Sequence, residues 1–169
     1  MSLALIVALF GASCGSSSPR KQATTAVRGP AFRFSAPASW RVRRAAASVV
    51  AESRADPAAR VSAVVYRLAT TYTPDRFAEA AKELDGVAAK LAHDAGGSVT
   101  DAETTAVAGL EIRAYRFTAR APQGRRYDDR VGFVLHGRRE VQLLCQAPSG
   151  AGDPDGACAL LFSSFTLTG

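Results

Sequence analysis

The chain is expected to be an α+β protein, an antiparallel β-sheet flanked by one long and one short helix. Three observations carry that expectation. Residues 73–97 form an amphipathic stretch with a start signal and a stop signal, short alternating apolar and polar runs joined by turn residues lie on both sides of it, and a last apolar segment at helical spacing closes the chain.

The first element is an address. Residues 3–10 are uninterruptedly apolar, which suits the h-region of a signal peptide and falls well short of the roughly 20 residues that cross a bilayer. Gly11-Ala12-Ser13-Cys14 resembles the lipobox of bacterial lipoproteins in its last three positions: small residues let an extended backbone enter the peptidase, and the thiol accepts a diacylglycerol. Gly11 stands where that motif carries an aliphatic residue. The missing basic n-region points either to a start upstream of Met1 or to a weak lipidation substrate. The expected organisation is a signal peptide over 1–13, a lipidated Cys14 with a flexible tether over 14–31, and one α+β domain over 32–169. Secretion after cleavage is the alternative to anchoring.

The tether reading rests on the Ser, Thr, Pro and Gly of residues 15–31, a composition that would span about 20–25 Å root-mean-square. Phe32-Arg33-Phe34-Ser35 then has the period of a half-buried strand, Pro37 ends it, and residues 40–42, 47–52 and 61–69 continue as strands. Thr73-Pro74-Asp75 is a helix start, with Thr73 as N-cap, proline in the first turn and an acid at the positive dipole end. Phe77, Ala81, Leu84, Ala88, Leu91 and Ala95 fall on one face, and Gly96-Gly97 stops the helix. Four strands follow, over 99–105, 110–119, 127–136 and 140–147, with turns at Val107-Ala108-Gly109, Pro122-Gln123-Gly124 and Gly137-Arg138 that imply antiparallel pairing. Cys158, Leu161, Phe162 and Phe165 sit at helical spacing in a short helix running into a terminal strand.

The opening Phe32-Arg33-Phe34-Ser35-Ala36-Pro37-Ala38-Ser39-Trp40 and the ending Leu161-Phe162-Ser163-Ser164-Phe165 resemble those of PsbP-like and DcrB-like domains, a pattern that some actinobacterial lipoproteins share. The resemblance covers most of residues 31–168. It implies an antiparallel sheet flanked by helices, used as a binding or accessory module, with no shared catalytic motif to carry over. Abundant Ala and Arg with only three Lys and no Asn agree with a GC-rich, actinobacterial source.

The net charge of +6 is uneven. Residues 20–60 carry nine basic against two acidic side chains, whereas residues 61–169 carry twelve against thirteen. Arg20, Lys21, Arg28, Arg41, Arg43 and Arg44 therefore form a candidate cluster against anionic headgroups beside the anchor. Nucleic acid is not an expected partner, since no aromatic residues interleave with the basic ones. The expected partners are the membrane, through the lipid, and an unknown protein or small molecule.

Of three cysteines, Cys14 is the lipidation candidate and Cys145 with Cys158 remain as a pair on apolar faces, expected to form a disulfide in an oxidising compartment. No metal site and no cofactor are expected, because no CxxC, Cys-His cluster, P-loop or dinucleotide fingerprint occurs. Asp153-Pro154-Asp155-Gly156 begins like a calcium loop but lacks the later carboxylate, so it reads as a turn. No catalytic residue stands out, and an enzyme is the less favoured class. An envelope hydrolase would have to be built from scattered residues such as His93, Asp129 and His136. Asp128 and Asp129, adjacent on a strand, point to opposite faces and are expected to neutralise Arg125, Arg126 and Arg130.

Overall fold

A computed structural model describes residues 22–121 and 124–168. Cys14 and the signal stretch lie outside them. Nine strands and two helices follow in the order β1 (Thr24–Arg28), β2 (Phe32–Pro37), β3 (Arg41–Arg44), β4 (Ser48–Glu52), β5 (Arg60–Tyr72), α1 (Phe77–Asp94), β6 (Val99–Val107), β7 (Leu110–Arg120), β8 (Arg126–Pro148), α2 (Ala157–Ser164) and β9 (Thr166–Leu167). The antiparallel α+β architecture with one long and one short helix is the one expected from the sequence.

One boundary moves. Residues 24–28, expected to be tether, form strand β1, antiparallel to β2, with Val27 opposite Phe34. Val27 is fully buried, and Thr25 and Val27 lie on one side of the pleat. A single apolar residue in a Ser/Thr/Pro/Gly context is too weak a periodic signal to betray a strand, yet its burial against the Phe32, Phe34 and Phe165 cluster holds it. The folded unit therefore begins by Thr24.

The larger sheet has the order β3-β4-β5-β8-β7-β6, every pairing antiparallel; β1, β2 and β9 make a smaller one. Strand β8 is extended for 23 residues, which would measure roughly 75 Å if straight. It is not straight: the Ser149 N–H donates to the Arg126 carbonyl at 3.0 Å. The segment doubles back at Gly137-Arg138, with Gly137 at φ 58°, the sign required at the first central position of a II′ turn. Residues 126–133 pair with β7 and residues 139–146 with β5. The hairpin expected from Gly137-Arg138 thus forms the middle of the sheet.

The sheet separates two cores. On one face Tyr115, Phe117, Val131, Phe133 and Leu135 pack with Leu84, Ala88 and Ala92 of α1. On the other, Val61, Ala63, Ile112, Ala114, Val134, Leu143 and Cys145 pack with Phe32, Phe34 and Trp40 of the N-terminal strands and with Leu161, Phe162 and Phe165. Thr73 makes no capping bond to the helix, which opens with a 3₁₀ turn over Pro74–Arg76 before α1 proper. The neighbouring Thr73 hydroxyl favours the ionised Asp75 carboxylate and lowers that acid's pKa. At the other end the expected stop holds: Gly96, at φ 74°, donates to His93 and Gly97 donates to Ala92, the two bonds of a Schellman motif.

Glycine substitutions on either side of this stop should have opposite effects. An added Cβ at Gly97 would fall 1.9 Å from the Thr118 carbonyl oxygen, whereas at Gly86, inside α1, nothing lies within 4 Å. In urea unfolding, Gly97→Ala is expected to lose about 1–3 kcal/mol or more, and Gly86→Ala to gain about 0.5–1 kcal/mol from helix propensity.

Candidate functional site

A cavity of about 440 Å³ lies where the start of α2 meets one end of the larger sheet, lined by Trp40, Thr118, Asp128, Arg130 and the Cys145–Cys158 pair among others. Ile112 and Ala114 face the N-terminal sheet and α2, and the two-residue period of β7 carries Arg116 and Thr118 to that same side. Asp128 and Arg130 lie on it likewise, because Val134 of the same arm does. The cavity is therefore framed by a polar stretch of the sheet that no strand of the smaller sheet pairs with.

Its walls are held by long-range bonds. The Trp40 indole N–H donates to Asp155 Oδ2 at 2.8 Å, tying the β2–β3 turn to the turn before α2. Asp155 adopts φ 54° to do so. Asp153 accepts from the Cys158 and Ala159 backbone N–H groups at 2.8 and 2.9 Å, satisfying first-turn donors of α2. The turn expected at Asp153-Pro154-Asp155-Gly156 is thus a helix entry. Among the described residues no group of three or more His, Cys, Asp or Glu side chains is placed to hold a metal ion.

Cys145 and Cys158 are joined, with Cα atoms 5.4 Å apart. Arg130 stacks over the Phe162 ring at 4.1 Å and pairs with Glu103 at 2.7 Å. Arg116 pairs loosely with Asp101 at 3.7 Å. Asp128 accepts from the Ser149 hydroxyl and the Gly150 N–H. The expectation that Asp128 and Asp129 neutralise Arg130 is thereby corrected: Glu103 of β6, reached across β7, takes the guanidinium, and the two aspartates bond across the β8 fold-back.

Asp129 is buried, bonded to Gln146 Nε2 at 3.4 Å, with Oδ1 unpartnered. Burial pushes its carboxyl up to about 6, against the Gln146 bond and the nearby Arg60 charge. Alternation places Asp129 with Phe117 and Val131 on the α1 face, and Asp129 and Phe117 are also among the residues that line the cavity. His93 is 89% exposed at the end of α1, beside Asp94. His136 lines a different cavity with Arg138 and Leu167. His93, Asp129 and His136 share no cavity among those of the described residues, so they do not compose one site.

The basic cluster is also divided. Arg41, Arg43 and Arg44 lie along edge strand β3 with exposed side chains, but Arg43 forms an ion pair with the buried Glu52. Arg44 Nε instead reaches the Arg28 carbonyl at 3.4 Å. Arg20 and Lys21 lie outside the described residues. The Trp40–Asp155 link, 115 residues apart in sequence, left no local signal that could have revealed the cavity.

Chemically, the cavity offers hydroxyls, a stacked guanidinium and an aromatic wall. Its sulfurs are spent in a disulfide, Asp128 and Asp153 are occupied by backbone and hydroxyl donors, and Asp129, also in its lining, keeps one oxygen without a partner. Two outcomes are expected. In Cys145→Ser/Cys158→Ser the unfolding free energy should fall by about 3 kcal/mol, from the loop closed over 13 residues, as read from denaturant midpoints. For Asp129, a folded pKa raised above the unfolded value means that stability is lost as pH rises from about 4 through about 6. Asp129→Asn should flatten that slope and be the more stable protein at pH 8, by about 1–3 kcal/mol.

No family model matches the chain, and no curated protein matches it. Solved structures do. The solution structure of cyanobacterial PsbP (CyanoP) from Synechocystis aligns with a TM-score of 0.65 at 13% identity, covering 92% of this chain and 98% of that one. LpqN, described as involved in cell envelope biogenesis of Mycobacterium tuberculosis, aligns with a TM-score of 0.56 at 14% identity, over 88% of this chain and 92% of that one. A Bacteroides thetaiotaomicron protein aligns at 0.58 and 11% identity, over 82% of this chain and 45% of that one. The fold is PsbP-like.

Proposed function

We propose that the protein is a lipid-anchored, extracytoplasmic binding or accessory domain of the bacterial cell envelope, held by Cys14 at the outer face of the membrane. The observation that carries this reading is the Cys145–Cys158 bond. It consumes both cysteines of the folded domain and belongs to an oxidising compartment, leaving Cys14, in its lipobox-like setting, for anchoring. The structural likeness to LpqN, a protein named for cell envelope biogenesis, supports the same location, and the composition supports an actinobacterial source. Within the fold, the cavity beside Trp40 is a ligand-sized feature, and its donors and aromatic wall favour retention of a small molecule or a peptide segment over chemistry on it.

Beginning the fold at Thr24 shortens the tether. Nine residues separate Cys14 from Thr24, with a reach of at most about 30 Å, so the domain would stay within its own diameter of the bilayer. Metabolic labelling with a palmitate analogue is expected to tag the wild-type protein and not Cys14→Ala, and the variant should move from the membrane fraction to the soluble one. A tag that survives the substitution would refute the anchor.

A further inference from the structure

At the end of the sheet opposite the cavity, the chain brings together six arginines that sequence places far apart. Arg28 lies opposite Arg33 across β1 and β2, and Arg67 lies opposite Arg139 across β5 and β8. The two pairs are stitched through the last strand: Arg33 Nε donates to Thr166 Oγ1 at 2.9 Å, the Thr168 N–H donates to the Ala31 carbonyl at 2.9 Å, and Arg139 donates to the Thr168 carbonyl at 3.5 Å. Arg44 joins through the Arg28 carbonyl and Arg138 through the Ala69 carbonyl. All six are exposed. None makes an ion pair among the described residues, whereas Arg43, Arg76, Arg113, Arg116 and Arg130 all do. Two acids, Asp75 and Glu111, act on Tyr72 toward the α1 side, and Glu140 beside Arg139 is half-buried with its pKa raised by that burial.

A second cavity, of about 490 Å³, opens in the same end. Val134, Val141 and Leu167 line it together with Arg138, Arg139 and His136. Apolar side chains inside and guanidinium groups at the rim are the arrangement that an anionic amphiphile fits, with its acyl portion inward and its phosphate on the arginines, for which the planar guanidinium is the better donor.

We propose that this end of the domain docks on an anionic phospholipid surface, with Arg28, Arg33, Arg44, Arg67, Arg138 and Arg139 against the headgroup phosphates. Charge complementarity is one argument, since each guanidinium near such a surface is attracted independently and no side-chain carboxylate among the described residues pairs with these six. Chain length is the other. Strand β1 runs about 17 Å from Thr24 to the arginine end, within the reach of the nine-residue tether, so an anchored Cys14 permits the contact. The proposal deepens the envelope reading by assigning an orientation, but the contact itself requires no lipid on Cys14.

The test uses the full chain as Cys14→Ala, so that its result is independent of acylation. Co-sedimentation with phosphatidylcholine vesicles is compared with vesicles that also contain phosphatidylglycerol, at low and high salt. Stronger binding to the phosphatidylglycerol vesicles, lost at high salt, is expected. Arg28→Gln/Arg44→Gln/Arg67→Gln should lower that charge-dependent partitioning by about tenfold or more. A control with the same charge change elsewhere, Arg41→Gln/Arg54→Gln/Arg125→Gln, should lower it far less. Retained near-UV circular dichroism shows that both triple variants are folded. Equal binding to both vesicle types, or equal loss in both triple variants, would overturn the proposal. Capture by polyglutamate without vesicle binding would overturn it too, and give the face to an acidic protein. If binding is as expected while palmitate labelling fails, the surface stands and the anchor falls.

Discussion

The rest of the structure hangs on the fold-back of β8. A run that is extended from Arg126 to Pro148 turns at Gly137-Arg138 and brings Ser149 to the Arg126 carbonyl, so one continuous segment supplies the two central arms of the sheet. One arm carries β7 and β6, the other β5, β4 and β3. Because a two-residue turn reverses the chain without leaving the sheet, Val131, Phe133 and Leu135 point to α1 while Val141, Leu143 and Cys145 point to the opposite core. Both hydrophobic layers depend on that register, and a slip of one residue would exchange them. Gly137 at φ 58° is the position where the turn requires a residue without a Cβ.

The same hairpin separates the molecule into two chemically different ends. Its open end holds the disulfide, the Trp40–Asp155 bond, the cavity and the entry of β1. Its closed end holds Arg138 and Arg139 beside the C-terminal strand, and gathers four further arginines from β1, β2, β3 and β5. Asp128, Asp153 and Asp155 in the first region are committed to backbone, hydroxyl and indole donors. In the second, Arg33, Arg44, Arg138 and Arg139 bond to backbone carbonyls or a threonine hydroxyl, and none of the six arginines forms an ion pair among the described residues. The domain thus has two chemically distinct surfaces to present.

Some of this was readable before folding. The Gly96-Gly97 stop rests on contacts within five residues, and the structure keeps it; of the α1 stripe, Leu84, Ala88, Leu91 and Ala95 pack on the sheet, while Ala80 and Ala92 stand there in place of Phe77 and Ala81. The turns at Ala108-Gly109 and Gly137-Arg138 are local in the same sense. Pairing Cys145 with Cys158 needed only their shared apolar faces and short separation. Where tertiary contacts compete with local ones, the reading moved: Thr24–Arg28 becomes a strand through Val27, whose partners lie in β2 and at Phe165.

By itself the amino-acid sequence determined the class of fold, the order of elements from β2 onward and the disulfide partners, because each follows from periodicity, turn chemistry or residue type over short spans. Only the tertiary structure decided that His93, Asp129 and His136 stand apart, that Arg43 is neutralised by Glu52, and that Arg67 and Arg139 join Arg28 and Arg33 at one end. The reason is physical: charge and side-chain donors act through space over a few ångströms, and strand pairing brings residues more than a hundred positions apart within that range.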